Sequence, residues 1–288
     1  MKFCLCVHDF RIKYYNKNDL NKLNTALQVN YKISTDFSGK YYCGLTIDWD
    51  YNRGYVEISM PGYIDKALTK FQHCPITPQY SPHEFPRPKF GQKIQYASDP
   101  DISGKTTPKQ SKHLQSIAGT FLYYSRAIDP TMIVALNEIA SVQSKPTKTT
   151  LKKCSQLMDY AATYPYAKIR YFFSNMVLHV DSDSAYLVQQ GAKSRIAVYF
   201  ILSSYPPPPP MIPKPAPNDA ILVECKTLQT FVASAAEAKT GGLFHNSQMI
   251  IHIKQLLKSI GHKQPPTAIK TDNSTAVGPI YPVLSRIN

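Results

Sequence analysis

The stretch "MVLHVDSDSAYL", Met176 to Leu187, sets an apolar run beside two aspartates separated by one serine. Side chains alternate faces along a strand, so Asp181 and Asp183 point the same way and place two like charges on one sheet surface. That placement is costly unless a cation, solvent or a proton relieves it. Two readings fit these residues. One is a strand running out into a solvated turn, the other a metal-binding carboxylate at a strand end.

Working outward, the pattern on both sides is globular. Apolar residues make up 43% of the 288 and charged residues 18%, far from a disordered composition. A chain of this length has room for two domains. Strand patterns follow Met176 in "MVLHV", "AVYFILSS" and "AILVECKT", interrupted by the extended segment "YPPPPPMIPKPAP". A long helix, "SAAEAKTGGLFHNSQMIIHIKQLLKSIG", comes next, with Ser234 as its cap, a break or kink at Gly241-Gly242 and a stop at Gly261. "PPTAIKTDNSTAVG" then reads as a strand ending in Asp272.

Upstream, "FCLCV" reads as a short buried strand, "KNDLNKLNTALQVNY" as a helix, and "YYCGLTIDWD" with "GYVEISM" as a hairpin turning through Asn52-Arg53-Gly54. "PGYIDKALTKFQ" carries Ile64, Ala67, Leu68 and Phe71 at helical spacing behind Pro61. Residues 76–110 are a proline-rich linker without a period. Three helices are predicted after it, in "KHLQSIAGTFLYYSRAI", "TMIVALNEIASVQ" and "TLKKCSQLMDYAAT".

Lysine and arginine number 33 against 19 aspartates and glutamates, a net charge of +14, with a pI of about 9.4. That balance favours polyanionic partners, and basic residues interleaved with tyrosines suit a surface that tracks a nucleic-acid backbone. Lys112, Lys152 and Lys153 are the candidate phosphate contacts. The six cysteines form no CxxC pair and no zinc spacing, which predicts reduced, buried thiols. No apolar run is long enough to cross a bilayer, and the N-terminus lacks a signal-peptide cleavage pattern. The expectation is an intracellular protein, cytoplasmic or nuclear, neither secreted nor membrane-bound.

Three acids stand at comparable transitions: Asp183 at a strand end, Glu237 early in the long helix, and Asp272 at a later strand end. Brought together by folding, such a set could hold the two divalent metals that clamp a phosphodiester. The wording around them, "SDSAYL…AKSR", "SAAEA" and "TDNSTAVG" in this order, resembles the ribonuclease H domain of copia-type retrotransposon polyproteins, where the consensus runs approximately SDASYL…ARSR, SSAAEAE and TDNSTA. The resemblance implies Asp183, Glu237 and Asp272 as ligands of Mg²⁺ or Mn²⁺, with Asp181 an exposed neighbour. It also implies a bound RNA–DNA hybrid whose RNA strand is the ancestral substrate of two-metal hydrolysis.

The resemblance extends upstream into the reverse transcriptase of the same polyproteins. "YYCGLTIDWDYNRGYVEISMPGYIDKALTKFQH" looks like the last palm hairpin with its helix, and "LQSIAGTFLYYSRAIDPTMIVAL" like the thumb. "FCLCVHDF" then stands where the polymerase has two adjacent aspartates on a hairpin; here the pair is His8-Asp9. A neutral imidazole does not replace a carboxylate for Mg²⁺, so polymerase activity is expected to be lost. The expected architecture is α+β and α/β: a palm remnant over 1–75, the linker over 76–110, a helical thumb over 111–175, and a C-terminally truncated, mixed-sheet ribonuclease H-like domain over 176–288. The family's fourth acid, beyond the TDNSTA strand, has no counterpart before the chain stops at "VLSRIN", and "AKSRIAVYF" departs from the family's Arg-Xaa-Gly-Gly turn. A non-catalytic nucleic-acid-binding relic is the alternative. An aspartic protease built on "DSD" is excluded by the absence of the glycine its active-site turn needs.

Overall fold

The computed structural model describes residues 1–84, 101–189, 191–204 and 218–272. The segment "YPPPPPMIPKPAP", much of the proline-rich linker and everything after Asp272 lie outside the described residues. The chain is mixed α+β. Its first half holds a hairpin of β1 (Lys2–Cys6) and β2 (Asp9–Lys13), helix α1 (Lys17–Gln28), and strands β3 (Tyr41–Tyr42), β4 (Leu45–Asp50) and β5 (Tyr55–Ser59). Helix α2 (Tyr63–Phe71) follows, then α3 (Pro108–Ala127), α4 (Ile133–Ser141), α5 (Lys148–Thr163) and strand β6 (Lys168–Phe172).

The helical spacing read in "PGYIDKALTKFQ" corresponds to what is buried, since Ile64, Ala67, Leu68 and Phe71 are the four core residues of α2. They meet Leu114, Ile117 and Phe121 of α3, Leu136 and Ile139 of α4, and Leu157 of α5 in one apolar cluster. Helices α3 and α5 each begin in a capping box, Thr107 with Gln110 and Thr147 with Thr150, which satisfies first-turn N–H groups that would otherwise be orphaned. Helix α3 accordingly starts at Pro108, inside the stretch expected to be linker.

Two expectations for this half are corrected. The strand in "FCLCV" is exposed along its whole length, with Phe3 65% and Leu5 52% accessible, because it belongs to a two-stranded ribbon that no layer among the described residues covers. The stretch expected as a helical thumb ends in strand β6, which pairs antiparallel with β5 and completes the sheet β3-β4-β5-β6. Its alternating "KIRYF" is a five-residue strand whose partner is far away in sequence, and local periodicity does not identify that partner.

The second half is a four-stranded sheet in the order β10-β7-β8-β9, from β7 (Val177–Gln189), β8 (Lys193–Ser203), β9 (Ala220–Thr227) and β10 (Ile269–Lys270). The pairs β7–β8 and β8–β9 are antiparallel, and β10 runs parallel to β7. Helix α6 (Ala235–Ser259) covers one face and buries Leu178, Val180, Val198, Phe200 and Leu202 against Ile250 and Leu257. The expected break at Gly241-Gly242 does not occur: α6 is continuous. Gly242 instead permits close packing, since a Cβ there would overlap Ser184 Oγ and sit 3.2 Å from Ile196 Cγ2. Asn246, one turn on, is 2% exposed, and its Nδ2 donates to Ser182 Oγ at 2.8 Å and Ala197 O at 3.2 Å. "AKSRIAVYF" forms a regular central strand even though it lacks the expected glycine turn.

Specific polar contacts join the halves. Asn137 Nδ2 donates to Cys225 O at 3.2 Å, Gln189 Nε2 to Asn137 Oδ1 at 2.7 Å, and Arg195 Nη2 to Glu138 Oε1 at 3.0 Å, so α4 lies against the β8–β9 side of the second sheet. At the other end Asn218 accepts from Phe172 N at 2.5 Å and donates to Leu202 O at 2.6 Å, clipping β6 to β8.

Candidate functional site

Register places the aspartates. Strand β10 pairs Ile269 with Val180 and Lys270 with Asp181 in a parallel ladder, so the chain leaving β10 passes Thr271 and brings Asp272 beside Asp183. Strand β7 alternates as expected: Ser182 and Ser184 are buried under α6, whereas Asp181 and Asp183 are exposed on the opposite face. Asp183 lies in mid-strand, not at a strand end, because β7 continues to Gln189. An open depression of about 520 Å³ spans this face, lined by Asp181, Asp183, Tyr199, Val223, Lys270 and Asp272 among others.

The residue that joins the two acids is Lys239. Its ammonium lies 3.2 Å from Asp183 Oδ1 and forms an ion pair and hydrogen bond with Asp272 Oδ1. The lysine side chain is 17% exposed, against 67% for Asp183 and 69% for Asp272. Burial favours the neutral amine, but hydrogen bonds to Asp272 and Asp183 outweigh it and hold Lys239 above the ordinary lysine range. The Lys239 hydrogen bond likewise holds the Asp272 carboxyl below the usual carboxylate range. Asp183 also accepts from the backbone N–H of Ser184 at 2.7 Å.

Glu237 is placed differently. Ser234 Oγ accepts from Glu237 N at 3.1 Å, and Glu237 Oε2 accepts from Ala233 N at 2.8 Å, so its carboxylate secures the start of α6. It lines a separate cleft of about 1200 Å³ between α3, α4 and the β9–α6 connection, with Phe244 and Leu136. Among the described residues, no group of three or more His, Cys, Asp or Glu side chains is arranged to hold a metal ion. The residues present therefore do not fit a divalent pair as they stand: two carboxylates face each other across an ammonium, and the third acid is employed elsewhere.

The other predicted site residues are spread over the first half. His8 and Asp9 sit at the tip of the β1–β2 hairpin, His8 exposed and Asp9 opposite Cys6 in the ladder. Lys112 on α3 and Lys152 on α5 are exposed. Lys153 is 46% exposed and pairs with Glu138 at 3.3 Å, so its charge is already partly neutralised. Glu138 also receives Arg195; burial would raise its pKa, but Arg195 and Lys153 hold it below the ordinary range. The cysteines divide, with Cys154 and Cys225 buried as expected, Cys43 half-buried, and Cys4, Cys6 and Cys74 exposed.

Reasoning from the sequence missed Lys239. A signal for it stood beside the motif: two positions after Glu237, where the quoted consensus SSAAEAE has a second glutamate, this chain carries lysine. No helix among the described residues is long and apolar enough to cross a membrane. No protein-family model, curated protein or solved structure matches this chain.

Proposed function

We propose that this chain is a nucleic-acid-binding protein of copia-type retroelement descent, pairing a reverse-transcriptase palm and thumb remnant with a ribonuclease H-like domain, and that its ligand is an RNA–DNA hybrid. The observation that carries the reading is the juxtaposition of Asp183 and Asp272 by a parallel β10–β7 pair beside an antiparallel β7–β8–β9 meander. The net charge of +14 supports a polyanionic ligand. The lineage reaction, hydrolysis of the RNA strand with Mg²⁺ or Mn²⁺ on Asp183, Glu237 and Asp272, is not the activity proposed for the native chain. Its third carboxylate is engaged as a helix cap.

The test is fluorescence anisotropy with a labelled RNA–DNA hybrid and with duplex DNA of the same sequence, across a salt series. Four or more phosphate contacts give a log–log slope steeper than about −3. A slope near zero, or no binding at low salt, would overturn the proposal. Equal affinity for the two duplexes would remove the hybrid as the specific ligand, because hybrid recognition rests on A-like shape and the 2′-hydroxyl.

A further inference from the structure

We infer that Lys239 is the resident cation of the Asp183–Asp272 site, holding the place of a divalent ion, so that the native site takes neither Mg²⁺ nor Mn²⁺. This rests on the ribonuclease H-like reading of the site given above.

Helix geometry makes position 239 decisive. Lys239, Gly242 and Asn246 follow the i, i+3, i+7 spacing of one helical stripe. The last two are the residues through which α6 packs on Ser184 and Ser182 of β7. Position 239 is the N-terminal member of that sheet-facing stripe. Glu237, two residues earlier and about 200° around a helix of 3.6 residues per turn, points away and lines the other cleft. Among the described residues, β10 pairs with β7 only at Val180 and Asp181, and at Asp183 the long Lys239 side chain of α6 reaches the carboxylate past that strand edge.

The chemistry at that point is set by one side chain. An ammonium offers three donors and no acceptor, so it satisfies two carboxylates but contributes no ligand to a metal. A divalent ion entering between Asp183 and Asp272 would meet a like charge. A carboxylate at 239 reverses both terms, giving three hard oxygen ligands at one locus and no competing cation.

The test uses the native chain, Asp183→Asn, Lys239→Glu, Lys239→Gln and the double variant Lys239→Glu/Asp183→Asn. Mn²⁺ binding is measured by calorimetry, with Tb³⁺ luminescence sensitised by Tyr199 in the depression as a second readout. Lys239→Glu is expected to bind Mn²⁺ at least tenfold more tightly than the native chain. Lys239→Gln, which removes the cation without adding an acid, should gain less, and the double variant should lose the gain. If three uncompensated carboxylates loosen the second sheet, Mn²⁺ should restore the circular dichroism of Lys239→Glu. A native chain that binds Mn²⁺ as tightly as Lys239→Glu, with binding lost in Asp183→Asn, would overturn the inference. So would a Lys239→Glu chain that gains no affinity or stays unfolded in Mn²⁺. Failure here combined with hybrid binding by the native chain would refute only the cation assignment, whereas a gain of metal without hybrid binding would refute only the proposed function.

Discussion

Everything at the site depends on how closely α6 lies on β7, and Gly242→Ala measures that distance energetically. At an unconstrained helical position the change should stabilise by about 1 kcal/mol through helix propensity. Here the new methyl overlaps Ser184 Oγ and stands 3.2 Å from Ile196 Cγ2, and overpacking of this kind costs about 1–3 kcal/mol. The expected net effect is a loss of about 0–2 kcal/mol. Ser184 supplies the control, because its hydroxyl is buried with no hydrogen-bond partner among the described residues, and Ser184→Ala removes that polar group at little or no cost. With that oxygen gone, the new methyl meets Ser184 Cβ at 3.4 Å, an ordinary contact. Gly242→Ala should then recover only part of its intrinsic gain, because the 3.2 Å approach to Ile196 Cγ2 remains, giving a coupling of about 1–2 kcal/mol in the double-mutant cycle. Urea titration followed by far-ultraviolet circular dichroism reads all four proteins. Full stabilisation by Gly242→Ala in the native background, with no coupling to Ser184, would show that the helix does not approach the strand, and the reach of Lys239 to Asp183 would fall with it.

The remaining predictions test separate parts of the account. Asn246→Leu strips the donor from Ser182 Oγ and Ala197 O and should cost about 1–3 kcal/mol in the same titration; a neutral result would remove this polar pin. Glu237→Ala should destabilise by about 1 kcal/mol as a lost first-turn contact, yet leave the Mn²⁺ affinity of Lys239→Glu unchanged; a tenfold weakening would restore Glu237 as a ligand. The Asp101 carboxyl, which accepts from Thr147 Oγ1 and Ser103 N, is held at about 2, below the ordinary value near 3.9. The unfolded chain therefore binds more protons in that window: the contribution is complete above about pH 4 and is lost as pH falls toward about 2. Asp101→Asn should flatten that segment of the stability–pH curve, and an unchanged slope would refute the assignment. Primer extension should be absent in the native chain and in His8→Asp, since the hairpin would still present carboxylates from one strand turn only; extension above a no-protein control would show that "FCLCVHDF" has been misread.

Much of this fold is legible where one face of one element meets the core. The stripe Ile64, Ala67, Leu68, Phe71 emerges as the buried side of α2 because a helix facing a single layer must repeat every three to four residues. What escapes local reading depends on partners remote in sequence. Strand β6 exists because β5 offers it an edge, and "FCLCV" is exposed because no layer among the described residues covers its ribbon. Gly241-Gly242 looks like a helix breaker in isolation. Its meaning changes once Ser184 and Ile196 stand opposite, where only a residue without a side chain fits.

The same distinction resolves the paired aspartates of "DSD". Alternation alone puts Asp181 and Asp183 on one face, and they are both exposed there. Alternation does not say what relieves the charge. Asp181 has open solvent over the depression, whereas Asp183 has gained an ammonium from a helix that crosses the other face of the sheet. Motif reading favours Glu237 over Lys239 because an acid is the residue a metal site needs. Helical phase favours Lys239, because it shares the stripe of Gly242 and Asn246. Phase wins here, since a side chain on the far side of a helix does not reach a sheet whatever its chemistry. The relief that the two acids require is thus supplied from within the chain, and the identity of one residue, 239, decides whether that cation is fixed or exchangeable.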